Sequence, residues 1–148
     1  MEALGFLNPD SVVDATMVAP LVMVASDGEA KHPRGAGSFA RVYSRYVRDQ
    51  GRLTLLDAVR KMSLMSAQRL EAATETARRK GRLQVGADAD IVVFDPAHFE
   101  DRATYQHPDL PSVGTRYVFV AGTLIVDGGR ILEGVAPGRP ILAHRHTP

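Results

Sequence analysis

The sequence predicts an α/β front half joined to a β-rich back half, and three patterns carry that prediction. Leu21-Val22-Met23-Val24-Ala25 is apolar at every position instead of alternating, which suits a strand covered on both faces of a parallel sheet. Phe39, Val42, Tyr43, Tyr46 and Val47 then follow the 3.6-residue spacing of a helix with one buried stripe. After Gly81 the grammar changes, and residues 91–94, 117–120 and 124–126 are short β-branched or aromatic runs separated by turns.

Taken in order, Asn8-Pro9-Asp10 reads as a helix start, with Asn8 as N-cap, Pro9 at the first helical position and an acid in the first turn. That helix is short, running over 9–16. Pro20 blocks its continuation and leads into the apolar strand 21–25, which ends at the polar Ser26-Asp27-Gly28. Residues 28–37 hold Gly28, Gly35, Gly37 and Pro33 and are expected to form a loop. A helix is expected over 38–49, with Arg41, Ser44, Arg45 and Arg48 on its outer side. A second is expected over 54–69. Thr54 with Asp57 resembles a capping box there, and Leu53 is placed to staple against Ala58. Residues 71–80 either extend this helix or form a separate turn. In the back half, Ala121-Gly122 reads as a tight hairpin turn and Asp127-Gly128-Gly129 as another. The boundary between the halves falls near residues 78–86.

Composition narrows the function classes. A length of 148 residues is that of one ordinary domain, and 45% apolar with 24% charged residues marks a soluble globular chain. A net charge of +1, from 18 basic and 17 acidic residues, gives no electrostatic reason to expect nucleic acid or an anionic membrane. The basic cluster Arg78, Arg79, Lys80 and Arg82 lacks interleaved aromatics and reads as a solvated connection. With no cysteine, disulfide and thiolate chemistry are excluded. The apolar run 18–25 is far short of the roughly 20 residues a bilayer demands, and no basic region precedes it as in a secretory signal. The expected location is the cytoplasm.

Asp27 is the first candidate for chemistry. It follows directly on the expected buried strand, at the carboxyl end where α/β folds place their reactive groups. A carboxylate there can ligate a metal ion, take a proton from metal-bound water and return it to a leaving amine. On spacing alone, a polar turn capped by Asp27 accounts for the same three residues. His98 and His107 read as surface loop residues. His144-Arg145-His146 imitates a metal-binding His-x-His pair but follows no buried strand, so a frayed tail is expected.

A resemblance adds to this reading. Met23-Val24-Ala25-Ser26-Asp27-Gly28 is similar to the end of the eighth barrel strand in D-aminoacylases and related metal-dependent amidohydrolases. His32-Pro33-Arg34, Phe39-Ala40-Arg41-Val42 and Arg45-Tyr46-Val47-Arg48 follow in family order, as do Ala58-Val59-Arg60-Lys61-Met62 and Ala67-Gln68-Arg69-Leu70. So do Gly86-Ala87-Asp88-Ala89-Asp90-Ile91-Val92-Val93-Phe94-Asp95-Pro96, Val118-Phe119-Val120-Ala121-Gly122 and Pro137-Gly138-Arg139. The Gly-Ala-Asp-Ala-Asp string marks amidohydrolases broadly, whereas His-Pro-Arg after Ser-Asp-Gly resembles the D-aminoacylase branch. The loop between Asp27 and Arg34 is shorter than is usual there.

The resemblance implies a fold of α/β plus β class. Residues 1–78 would be the last strand and helices of an amidohydrolase TIM barrel, and 79–148 part of a composite β-sandwich. It implies hydrolysis of the amide bond of N-acyl-D-amino acids by water activated on a divalent metal, most often zinc. Asp27 would be general base and acid and a candidate metal ligand. Arg34 would hold the substrate's α-carboxylate, for which a planar bidentate donor is suited, with Ser26 and His32 beside it. Two alternatives stay open. One is a cyclic-amide hydrolase of the dihydroorotase or hydantoinase type, although that type more usually has histidine where Gly28 stands. The other is a non-catalytic interaction module. The first seven barrel strands and their metal-binding histidines have no counterpart in this sequence. The implied partner is therefore the missing N-terminal part or another chain, and residues 21–25 are expected to lack neighbours on both sides.

Overall fold

The computed structural model describes residues 8–28 and 31–143. Helix α1 spans Asp10–Val18 and begins one residue later than expected. Pro9, not Asn8, is the N-cap: its φ of −58° and ψ of 148° are extended, and its carbonyl accepts from the Val12 and Val13 amides. No side chain caps this end.

The expected strand at 21–25 does not form. A strand is a paired state, and among the described residues no parallel neighbour pairs with this segment. Its burial nevertheless alternates with the period of a strand. Val24 is 8% exposed, whereas Leu21 is 89% and Met23 41% exposed. One side packs on the helices and the other is bare. Three hydrogen bonds with Lys61 hold the segment. The Val24 amide donates to the Lys61 carbonyl at 3.0 Å. The Lys61 ammonium, itself only 3% exposed, donates to the carbonyls of Ala19 and Val22, the latter at 3.0 Å.

Helix α2 covers Arg34–Arg41 and runs without a break into a π-helical stretch, Val42–Asp49. It starts four residues before the expected 38, despite Gly35 and Gly37. The Ser38 hydroxyl donating to the Arg34 carbonyl and the Gly37 amide donating to the Pro33 carbonyl hold its first turn. Val42, Tyr43 and Tyr46 are buried as the stripe requires, but Phe39 stays 42% exposed and Ser44, expected outside, is buried. The wider i→i+5 turn rotates the faces relative to an α-helix. Helices α3 (Leu55–Val59) and α4 (Met65–Leu70) flank a π-helical Arg60–Leu64 and form one rod, close to the expected 54–69. Its start is the expected reciprocal cap: the Asp57 amide donates to Thr54 Oγ1 at 3.1 Å, and that hydroxyl donates to Asp57 Oδ2 at 2.7 Å. Residues 71–80 form a separate turn with a 3₁₀ segment at Glu75–Arg79.

Val24, Val42, Tyr46, Leu53 and Ala58 form the core, with Met17, Val47 and Met62 packed against it. Asp14 pins α1 to this core by accepting from the Tyr46 hydroxyl at 2.7 Å while pairing with Arg45 and Arg52. The Tyr46 hydroxyl first, then the two guanidiniums, hold its carboxyl below the usual range despite its partial burial.

The back half is one antiparallel sheet in the order β1 (Ile91–Phe94), β2 (Thr115–Val120), β3 (Thr123–Asp127), β4 (Arg130–Ile131). The expected two-residue turn closes β2 onto β3, with φ of 49° at Ala121 and 79° at Gly122, the positive pair a primed hairpin turn requires. A sandwich needs a second layer, and no other sheet is present among the described residues. Tyr43, Phe94 and Phe99 join the halves through ring contacts of 4.6–5.7 Å between centroids. The chain exposes 10660 Å², whereas a self-contained protein of 16.0 kDa exposes about 7400 Å².

Candidate active site at Asp27 and Arg34

Asp27 ends the Lys61-anchored segment in a left-handed conformation, φ 45°, which Asp tolerates better than most residues. Its side chain is 82% exposed. Arg34, the first residue of α2, turns back onto it. Nη2 lies 3.0 Å from Asp27 Oδ2, and Nε donates to the Asp27 carbonyl at 2.8 Å. The guanidinium fork thus takes both the carboxylate and the main chain of Asp27.

His32 stands beside this pair. The Arg34 amide donates to His32 Nδ1 at 3.1 Å, which leaves Nε2 to carry the proton of the neutral ring. Ser26 is half-buried next to Gly28, and a Cβ added at Gly28 would lie 3.6 Å from Ser26 Oγ. Asp27, Arg34, His32 and Ser26 therefore come from one loop. The structure brings Arg34 and Asp27 into contact and seats His32 against the Arg34 backbone.

Two features bear on a metal. Among the described residues, no group of three or more His, Asp or Glu side chains is placed to hold one. A lone exposed carboxylate does not make a binding set, so these residues by themselves do not fit a resident metal. A hollow of about 240 Å³ is lined by Asn8, Val12, Val13, Thr16, Met17 and Val22, and one of about 370 Å³ lies around His98 and Arg116. Asp27 lines neither of these two hollows.

The other histidines lie elsewhere. His98 is exposed and contacts Asp95 at 2.9 Å, and His107 sits in an exposed turn. His144 and His146 lie outside the described residues. Three of the four residues of the basic cluster pair with acids of this chain: Arg79 and Lys80 with Asp88, Lys80 also with Asp90, and Arg82 with Glu71. One neighbour of the site had no signal in the sequence. The Tyr105 ring meets His32 edge-on, with centroids 5.2 Å apart at 82°.

Residues 20–126 match the amidohydrolase family, and the chain belongs to that family. Its relatives are more particular. It is 46% identical over 127 residues to an N-acyl-D-glutamate deacylase, and 39% over 124 residues to a D-aminoacylase, both of Alcaligenes xylosoxydans xylosoxydans. These matches cover 83% and 81% of this chain but 25% of each relative. A crystal structure of D-aminoacylase, described as defining a novel subset of amidohydrolases, superposes with a TM-score of 0.81 at 34% identity. It covers 90% of this chain and 28% of that one. N-acyl-D-glutamate deacylase from Bordetella bronchiseptica, solved with zinc and a phosphonate mimic of the tetrahedral intermediate, superposes at 0.71 with 40% identity, covering 82% and 27%. The chain spans about a quarter of the length of the relatives it matches. No helix among the described residues is long and apolar enough to cross a membrane.

Proposed function

We propose that this chain is the C-terminal part of a metal-dependent deacylase that hydrolyses the amide bond of N-acyl-D-amino acids. One observation carries the reading. A guanidinium suited to a carboxylate lies on the exposed carboxylate of Asp27, in a chain whose relatives are deacylases of N-acyl-D-amino acids. Asp27 takes a proton from the attacking water at Oδ and returns it to the departing amine. Arg34 receives the substrate's α-carboxylate, with Ser26 and His32 lining the same loop. Because Arg34 holds Asp27 directly, a substrate carboxylate that takes over the guanidinium also frees Asp27 to accept the proton. Most ligands of the divalent metal that would activate this water, zinc in the Bordetella relative, would lie outside this chain, with Asp27 a candidate ligand from within it.

Residues 1–78 are read as the end of a (β/α)₈ barrel and 79–148 as part of a β-sandwich. The remainder of both comes from the missing N-terminal polypeptide, in the same chain or another. The bare side of 21–25 supports this, since Leu21, Met23 and Ala25 face outward where a barrel interior would cover them. The cytoplasm is the proposed location, in keeping with a cysteine-free chain.

The test combines this chain with the barrel polypeptide and zinc and follows amine release from N-acyl-D-glutamate, N-acyl-D-aspartate, their L-enantiomers and a cyclic ureide. Hydrolysis of the D-acyl substrates alone is expected. Turnover of the ureide, or none of the acyl substrates, overturns the reading.

A further inference from the structure

We propose that Tyr105, contributed by the β half, is a positioning residue for the Arg34 loop. It is held against His32 by a strap, residues 95–113, lying across the helix 34–49. The inference rests on the deacylase reading and deepens it by assigning the β half a part in recognising the substrate's carboxylate.

The strap leaves the sheet after β1 and is fixed to the helix along its length. The Tyr43 hydroxyl donates to the Pro96 carbonyl at 3.1 Å. Arg48 donates to the Phe99 carbonyl at 3.3 Å and pairs with Glu100 at 3.3 Å. Arg41 pairs with Asp101 at 3.2 Å, and the Ser112 hydroxyl donates to the Ala36 carbonyl at 2.9 Å. The approach is close enough to need a missing side chain, since a Cβ on Gly37 would stand 3.0 Å from Asp101 Cβ and 3.7 Å from Ala103 Cβ. Between these anchors the chain folds into a tight turn. The Thr104 amide donates to the His107 carbonyl and the His107 amide returns to Thr104 Oγ1, both at 3.0 Å. Tyr105 is at the tip of that turn.

From there the contacts run in one direction. The near-perpendicular contact with the Tyr105 ring fixes the plane of His32. His32 Nδ1 accepts from the Arg34 amide. Arg34 is the first residue of α2, so its main chain sets where the guanidinium points. A bidentate carboxylate contact is sensitive to such aim. The Tyr105 contact reaches the site through His32 and the Arg34 main chain, so its removal should weaken recognition of the α-carboxylate more than the proton transfers.

The experiment uses the complete metal-loaded enzyme with Tyr105→Leu, Tyr105→Phe and, as an independent lever on the strap, Gly37→Val. Metal content and melting temperature are checked for each. Tyr105→Leu should raise KM about tenfold for N-acyl-D-amino acids while kcat moves by less than about twofold. Tyr105→Phe, which keeps the ring, should restore KM. On a substrate whose α-carboxylate is replaced by a carboxamide, Tyr105→Leu and the unaltered enzyme should be alike. Gly37→Val, which pushes the strap off the helix, should reproduce the carboxylate-specific rise. An unchanged KM, an equal loss on the carboxamide, or failure of Phe to rescue would each overturn the proposal.

The unaltered enzyme separates this from the parent reading, because its inactivity on N-acyl-D-amino acids sinks the deacylase assignment whatever the variants do. In that event the histidine NMR signals of the chain decide the contact. A shifted His32 resonance in Tyr105→Leu supports the positioning role, and an unmoved one overturns it.

Discussion

The two halves of this chain close their structures in different ways. In the β half the hydrogen-bonding groups around the turns are answered from within. Asp90 Oδ1 accepts from the Ala121 amide at 2.8 Å, the Gly122 amide donates to the Ala89 carbonyl, and Lys80 lies 3.0 and 2.6 Å from Asp88 and Asp90. In the helical half the segment that carries Asp27 is answered on one side only. Lys61 holds it from beneath, while Leu21, 89% exposed, faces outward without a partner. The turns of the β half are complete in themselves, whereas the candidate carboxylate of the helical half sits on a segment with one bare side. A site assembled from several strands is incomplete in any one of them, whereas a hairpin turn is complete once its own residues are present.

That contrast predicts that the largest effect of a single substitution is on catalysis and arises in the open half. Asp27→Asn keeps the size of the side chain in an exposed turn but removes its ability to accept a proton. Activity of the complete, metal-loaded enzyme should fall by about 10²–10⁴-fold, with little change in melting temperature. Near-normal amide hydrolysis by a folded Asp27→Asn enzyme would take Asp27 out of the mechanism and leave it a turn residue.

The next effect is on stability and tests whether the Asp27 segment depends on Lys61. Lys61→Met keeps the stem of the side chain in the core but removes the side-chain donor to the Val22 carbonyl and one of the two donors to the Ala19 carbonyl, which keeps the Val22 amide. A loss of about 1–3 kcal/mol is expected in urea melts. Hydrogen exchange should also quicken at the Val24 amide, whose acceptor is the Lys61 carbonyl. If stability and exchange are both unmoved, something other than Lys61 holds the segment.

Local interactions were legible in the sequence, and those that depend on distant residues were not. The Thr54–Asp57 cap, the Ala121-Gly122 turn and the helical rod 55–70 each rest on residues a few positions apart, and each formed where the pattern placed it. The resemblance singled out Asp27 and Arg34 as site residues but gave no sign that the two would pair with each other across their short loop. The strand at 21–25 failed for the opposite reason: its apolar composition suits a strand covered on both faces, but among the described residues no neighbouring strand pairs with it and one face is bare. Helix α2 began early because Gly37, read as a loop signal, serves close packing against Asp101. Tyr105 gave no signal at all, since its place beside His32 depends on a strap anchored by Arg41, Arg48 and Tyr43.

The smallest expected effect lies at the hairpin turn of the β half, where Asp90 and Lys80 each have two partners. Asp90 serves Lys80 with one oxygen and the Ala121 amide with the other. Asp90→Asn loses the charge but keeps an oxygen for Ala121, and Lys80 retains Asp88 at 3.0 Å. The loss should stay within about 1 kcal/mol at neutral pH, as for an exposed pair. Asp90→Ala also strips the acceptor from the hairpin turn, and should lose roughly another 1 kcal/mol. Acid distinguishes the two contributions. Burial alone would raise the Asp90 pKa, but Lys80 and the Ala121 amide outweigh it and hold it below 3.8. The ionised carboxylate therefore stabilises the fold fully above the unfolded pKa, and that contribution is lost as pH falls through the lower folded value. Urea melts at pH 7 and pH 3 should show the gap between the unaltered chain and Asp90→Asn narrowing in acid. The gap between Asp90→Asn and Asp90→Ala should persist, because an amide oxygen does not titrate. If the first gap stays constant with pH, the Lys80 pair contributes nothing and the turn hydrogen bond alone accounts for Asp90.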